Sequence, residues 1–258
     1  MIDFHNHILP NVDDGAKTLD VSLRMLSHAA KQGITDVVNT VHYQHPKVEG
    51  KVISYDTIKK SIINLELELK KKKNPIKLHF GAEVFYQPNL LEIKDNPLVN
   101  FNNGKYMLIE FNPQIIPKNH VDYLFKLKLA GVTPIIAHPE RYRAVQNDFN
   151  IINDWLRLGC LIQVSAGSIL GFMGENLKKT ASKIIYSNSC HILGSDAHND
   201  QNRNFMLKDA FEKVEKMIGV NAKKLVYDNP KAIIDGKLIE PIIGKNMGKM
   251  TFWDRFKR

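Results

Sequence analysis

LAGVTPIIAHPERY, residues 129–142, contains the unit that decides the fold. Gly131 ends an amphipathic segment with the left-handed cap that glycine adopts at little cost. Thr133–Ala137 is a short β-rich run, and His138 stands directly at its C-terminal end.

The same unit recurs outward in both directions. Ile2–Phe4, Asp36–Val41, Lys77–Ala82, Tyr106–Phe111, Leu161–Val164 and Ile192–Gly194 bring the candidate strands to seven. Between most of them apolar residues fall three and four apart, as Val21, Leu23, Met25, Leu26, Ala29 and Ala30 do, which predicts amphipathic helices. The longest runs from Tyr55 to Lys72, with Ile58, Ile62, Leu65 and Leu69 on one stripe. Gly33 and Gly159 repeat the role of Gly131. Strand, helix, glycine, strand implies parallel pairing and an α/β class. No composition shift divides the chain, and an α/β barrel would use the length in a single domain.

Consider what each strand delivers. His5 and His7 follow the first, His42 the second and Glu83 the third; Glu110 ends the fourth, His138 follows the fifth, and Asp196 and His198 follow the seventh. Any one of these alone reads best as a cap or a surface side chain. In a parallel barrel, however, all C-terminal strand ends meet on one face, so residues nearly two hundred positions apart converge there. His-x-His on extended backbone turns both imidazoles to one side, and Asp196-Ala-His198 repeats the geometry. Imidazole with carboxylate and no thiolate suits manganese, iron, zinc or magnesium in an open catalytic site. The donors exceed the needs of one six-coordinate ion, so a cluster of two or three is expected. Three divalent ions against four carboxylates leave a net positive pocket, suited to a phosphate ester attacked in line by a bridging hydroxide. Arg141 in HPER and Arg203 in HNDQNR stand where guanidinium forks would grip phosphate oxygens.

Composition excludes other chemistry. Cys160 and Cys190 open apolar runs and read as core residues. A cysteine phosphatase needs arginine six positions past its nucleophile, where this chain has Ala166 and Asp196. No secretory leader and no membrane-length apolar run is legible, so a cytoplasmic location is expected. A net charge of +9, much of it in Lys70 to Lys73 and the last fourteen residues, favours anionic partners. Residues 236–258 read as a basic, flexible extension ending FWDRFKR, with peripheral membrane or partner docking as the other reading.

The stretches MIDFHNHILPNVDDG, GITDVVNTVH, GAEVFY, YMLIEF, PIIAHPERY, QVSAGS and GSDAHN together resemble the PHP (polymerase and histidinol phosphatase) superfamily. They are most similar to its bacterial protein-tyrosine phosphatase branch of capsular and exopolysaccharide biosynthesis, through the DDG after the opening HNH. The resemblance implies a distorted, TIM-like (β/α)7 barrel over residues 1–235 and a trinuclear, manganese-activated site. His5, His7, Glu83 and Asp196 would hold one ion; Glu83 would bridge to a second on Glu110 and His138; Asp14, His42 and His198 would hold the third. Asp13 is the weaker match beside Asp14. Arg141 and Arg203 match phosphate-binding arginines, and the implied substrate is the phosphotyrosine tail of a membrane-linked bacterial tyrosine kinase. No nucleic-acid partner is expected, since no polymerase module accompanies the barrel. YQHPKVEGKVISYD after His42 fits no fixed motif, leaving Tyr43, Phe85 and Tyr86 as candidate walls for a phenyl ring. Histidinol-phosphate phosphatase, or a metal-stabilised regulatory domain without activity, are the rival readings.

Overall fold

The computed structural model describes residues 1–101 and 104–239. Nine short strands occupy seven positions: β1 (Ile2–Asp3), β2 (Asp36–Val38), β3 (Val41–Tyr43), β4 (Lys77–His79), β5 (Ala82–Phe85), β6 (Tyr106–Glu110), β7 (Thr133–Ile136), β8 (Leu161–Ser165) and β9 (Ile192–Gly194). Every pairing between these strands is parallel, in the orders β1-β2-β4 and β3-β5-β6-β7-β8-β9. A parallel bridge between Asn6 and Ala197 joins the first position to the last. The sheet therefore curls round to meet itself as the predicted distorted barrel.

The distortion has a local cause. Asp36–Val41 and Lys77–Ala82, each expected as one strand, are each interrupted by two residues. Val38 pairs with His79 and Val41 with Ala82, so the register is unchanged across the gap. At the gap the chain bonds sideways to the segment after β1: Thr40 N–H donates to Asn6 O (3.0 Å) and Asn6 N–H to Thr40 Oγ1 (3.0 Å). His42 and Glu83 consequently lie within the second halves of their strands, not after them.

Helices α1 (Leu19–Lys31), α2 (Tyr55–Lys71), α3 (Leu90–Ile93), α4 (His120–Leu129), α5 (Arg143–Asn147), α6 (Asn150–Arg157), α7 (Ala166–Leu170), α8 (Glu175–Tyr186), α9 (Leu207–Ile218) and α10 (Asn229–Ile234) fill the connections. The stripe Ile58, Ile62, Leu65 and Leu69 of α2 is buried as the spacing required. Gly33, Gly131 and Gly159 hold positive φ at the helix ends. Two cores result. The larger lies among the strands and the surrounding helices, with Val37, Ile109, Ile136 and Trp155 in it. The smaller holds Phe4, Val38, Tyr106, Leu108, Ile135, Leu161 and Ile192, with Ile233 of α10 packed on it. Side-chain alternation turns this second core into a floor: Tyr106, Leu108 and Glu110 share one face of β6, as Leu161, Gln163 and Ser165 share one face of β8. Each face is apolar below and polar at the C-terminal end. Past α10, Tyr106 donates its hydroxyl to Lys237 O and accepts from Ile239 N–H. The rest of the basic extension, including FWDRFKR, lies outside the described residues.

Candidate metal centre

All nine predicted ligand residues converge at the C-terminal ends of the strands. His5 Nε2 stands 3.2 Å from Glu83 Oε2 and 3.6 Å from Asp196 Oδ1, and His7 Nε2 stands 3.4 and 3.5 Å from the same two oxygens. Glu83 turns its other oxygen, Oε1, to His138 Nε2 at 2.8 Å, and Glu110 Oε1 is 3.7 Å from that nitrogen. Asp14 Oδ1 lies 3.2 Å from His42 Nε2 and 3.4 Å from His198 Nε2. Three groups of donors thus adjoin, with Glu83 between the first two, and a fourth set, His42, His45 and Glu110, lies beside them. His7 is within reach of both the first and the third group.

The spacing can be tested against ions. Ligand atoms about 2.1 Å from a cation are about 3.0 Å apart in an octahedron and about 3.4 Å in a tetrahedron. Most separations above fall at or near that range. Moreover His5 Nε2, His7 Nε2, His198 Nε2, Asp14 Oδ1 and Glu110 Oε2 are buried without a hydrogen-bond partner. Leaving so many polar atoms unsatisfied in one place is costly unless an ion satisfies them. The donor set fits divalent cations.

Supporting contacts orient the rings. His7 Nδ1 pairs with Asp13 Oδ2 at 2.8 Å, His5 Nδ1 with Gln163 Oε1 at 3.1 Å, and His198 Nδ1 with the Asp196 carbonyl at 3.0 Å. An acceptor on Nδ1 keeps the proton there and turns the Nε2 lone pair inward. Asp13 is therefore a support beneath His7, also accepting from Gly15 N–H (2.9 Å) and His42 N–H (3.1 Å). The glycine of DDG is explained in the same place, since a Cβ on Gly15 would meet His7 O at 2.0 Å. His138 (φ 29°) and Asp196 (φ 52°) hold left-handed backbone that non-glycine residues rarely adopt, strain of a kind that gathers at functional sites.

Charges are strongly coupled. Burial would raise the Asp196 carboxyl, but Arg141, His198, His7 and His5 hold it well below its ordinary value. Burial also opposes ionisation of Glu83, yet His5 and His138 keep it low, whereas burial and the Glu83 charge push Glu110 well up. His138 is lowered to about 4 by burial and Arg141. Arg141 Nη2 donates to Asp196 Oδ2 (2.5 Å) and Ser165 Oγ (3.1 Å), and Arg203 Nη2 donates to the same Oδ2 at 2.9 Å. Both arginines therefore gather at the outer oxygen of Asp196, where an incoming anion can exchange with it.

Sequence reasoning did not single out Gln163, Ser165 or His45. The β8 strand lacked a ligand type, yet it supplies the Gln163 and Ser165 contacts; a glutamine in an otherwise apolar run was the available signal. His45, three residues after His42, stacks on that ring at 4.4 Å and brings Nε2 to 3.5 Å from Glu110 Oε2. Among the candidate walls, Tyr86 is buried against Phe111 and belongs to the core. Tyr43 instead lines a cavity of about 500 Å³ with His45, Val48, Ile53 and Gln87. Burial raises the Cys160 thiol to about 12, and Cys190 is buried as well.

Comparison with known proteins accords with the motifs. The family model for capsular polysaccharide synthesis, CpsB/CapC, matches residues 1–235. A putative tyrosine-protein phosphatase CapC of Staphylococcus aureus is 35% identical over 98% of both chains. Tyrosine-protein phosphatase YwqE of Bacillus subtilis is 30% identical over 93% of both chains. Among solved structures, one from a study of YwqE from Bacillus subtilis and CpsB from Streptococcus pneumoniae, described as unique metal-dependent tyrosine phosphatases, aligns with TM-score 0.89. It has 27% identity over 96% of this chain and 100% of that one. A histidinol phosphate phosphatase from Lactococcus lactis shares the fold at TM-score 0.56 and 13% identity over 84% of this chain and 93% of that one. The family match and the near full-length relatives agree, and this chain belongs to the CpsB/CapC family of capsular polysaccharide synthesis.

Proposed function

We propose that this protein is a metal-dependent protein-tyrosine phosphatase whose nine converging side chains, His5, His7, Asp14, His42, Glu83, Glu110, His138, Asp196 and His198, hold three divalent ions, manganese in the working enzyme. The observation that carries this reading is the set of buried, unpartnered donor atoms facing one another beside two arginines. The activity named for the relatives supports it. Bound ions would supply Lewis acidity and an activated water for hydrolysis of a phosphate ester.

The chain's own residues supply the rest. Arg141, partly buried and anchored to Ser165, orients one phosphate oxygen; Arg203, more exposed, closes on another as substrate enters. Asp13, Gln163 and the Asp196 carbonyl keep the ring nitrogens of His7, His5 and His198 turned inward. The substrate is the phosphotyrosine-bearing tail of a bacterial tyrosine kinase in capsule or exopolysaccharide synthesis, met in the cytoplasm. The +9 charge and Lys47 and Lys51 near Asp14 and Asp13 favour an anionic tail. No helix among the described residues is long and apolar enough to cross a membrane. Residues 1–235 form the catalytic barrel, and residues 236–258 form an appended basic extension.

The test is turnover of a phosphotyrosine peptide against histidinol phosphate under identical manganese conditions, with and without chelator. Preference for the peptide, abolished by the chelator, is expected; preference for histidinol phosphate, or turnover without metal, would overturn the reading.

A further inference from the structure

We propose that His45 donates a hydrogen bond to the ester oxygen of the substrate and is not a tenth metal ligand; the inference rests on the phosphatase reading above. His5, His7 and His198 each have an acceptor at Nδ1, which leaves Nε2 a lone pair for an ion. His45 is wired the opposite way. Its Nδ1 accepts from the backbone N–H of Lys47 at 2.9 Å, so the neutral ring carries its proton on Nε2. A protonated ring nitrogen has no lone pair to give a cation. It has a proton to give an oxygen.

That proton is aimed at the reaction centre. Nε2 stands 3.5 Å from Glu110 Oε2, an oxygen without a hydrogen-bond partner, and no hydrogen bond among the described residues engages Nε2 itself. The ring is also held. It stacks on His42 (4.4 Å, 26°) and meets Phe85 edge-on (4.7 Å, 77°). The local sequence builds this: Gln44 at φ 58° folds the chain back over His42, and Pro46 opens the 3-10 turn Pro46–Val48 that His45 caps.

Position indicates which oxygen is served. Arg141 and Arg203 gather at Asp196, after β9, whereas His45 sits by Glu110 and borders the cavity of about 500 Å³ lined by Tyr43, Val48, Ile53 and Gln87. In the proposed pose the phosphate lies at the arginines, the phenyl ring in that cavity and the ester oxygen at His45 Nε2–H. A fixed donor there meets the charge that grows on that oxygen as the P–O bond breaks.

The experiment compares the manganese-loaded enzyme with His45→Ala and His45→Gln on a phosphotyrosine peptide and on nitrophenyl phosphate, whose less basic leaving group needs less help. Metal content is measured in parallel. His45→Ala is expected to keep its full metal content and lose about 10²–10³-fold in kcat on the peptide. The loss on the nitrophenyl ester should be clearly smaller, and His45→Gln, whose amide N–H reaches the same place, should recover part of it. Equal losses on both esters, no loss, no recovery by glutamine, or loss of bound metal in His45→Ala would each overturn the proposal. A wild-type protein inactive on both esters would instead sink the phosphatase reading.

Discussion

Replacing Asp13 by asparagine separates the roles of the two neighbouring carboxylates of DDG. Asp13 Oδ2 accepts from His7 Nδ1 (2.8 Å) and His42 N–H (3.1 Å), and Oδ1 accepts from Gly15 N–H (2.9 Å). Every partner is a donor, so the asparagine NH2 must face one of them. If it faces His7, that ring is driven to the other tautomer and its Nε2 no longer ligates. Facing Gly15 costs less, because the carbonyl keeps the two contacts of Oδ2. One buried hydrogen bond is then lost and two charge-assisted ones become neutral, about 1 kcal/mol for each of the two. Felt through His7, this corresponds to about 10–100-fold weaker metal binding, the usual effect of removing a carboxylate behind a ligating histidine. Asp14→Asn instead removes the charge of a direct ligand and should lower the bound-metal ratio by one ion. Metal content after dialysis, with titration calorimetry of the apoprotein, reads both. If Asp13→Asn lost an ion outright while Asp14→Asn kept all of them, the roles assigned to the pair would be wrong.

Four further outcomes are expected. Arg203→Ala should lower kcat/KM by about 10–100-fold with metals retained, since it removes one charge-assisted phosphate contact, and steady-state kinetics beside metal analysis checks this. Arg141→Ala, removing a partner of the buried Asp196, should also lower the thermal midpoint, whereas unchanged melting would argue against its anchoring role. The metal-free centre should bind ions more weakly as pH falls: burial and Glu83 push Glu110 up, and His7 is raised chiefly by Asp13, so both must release protons to ligate. Titration in two buffers of different ionisation enthalpy counts those protons, and a pH-independent affinity would contradict the assignment. Finally, alkylating reagents should leave the native enzyme's activity intact, because Cys160 and Cys190 are buried and burial pushes both thiols up.

The strand ends made most of this site legible. Type-specific residues at the ends of β-rich runs located His5, His7, His138, Asp196 and His198, because parallel pairing forces those ends together whatever lies between them. The break at 39–40 was not legible, since there Thr40 and Val38 bond to Asn6, contacts between residues more than thirty positions apart. His45 escaped notice for a related reason. Its placement depends on the left-handed turn at Gln44, and glutamine carries no sequence signal for positive φ. Gln163 shows that a strand lacking a ligand can still serve the site from below.

The join between the first and last strand positions governs how the protein comes into being. Asp196 N–H bonds to His5 O at 2.7 Å and His7 N–H to Ala197 O at 2.8 Å, so an early and a late segment of the synthesis are stitched to each other beside the centre. At ribosomal speeds of about 5–20 residues per second, roughly 10–40 s separate the making of His5 from that of Asp196. Through that interval the histidines of the first strand wait without Asp196, and the sheet keeps an open edge. A chain cut short before Ser195 would carry most of the donor set yet could not close the ring. No copy cut short there would therefore work, and the loop after β9 is the one that completes the donor set.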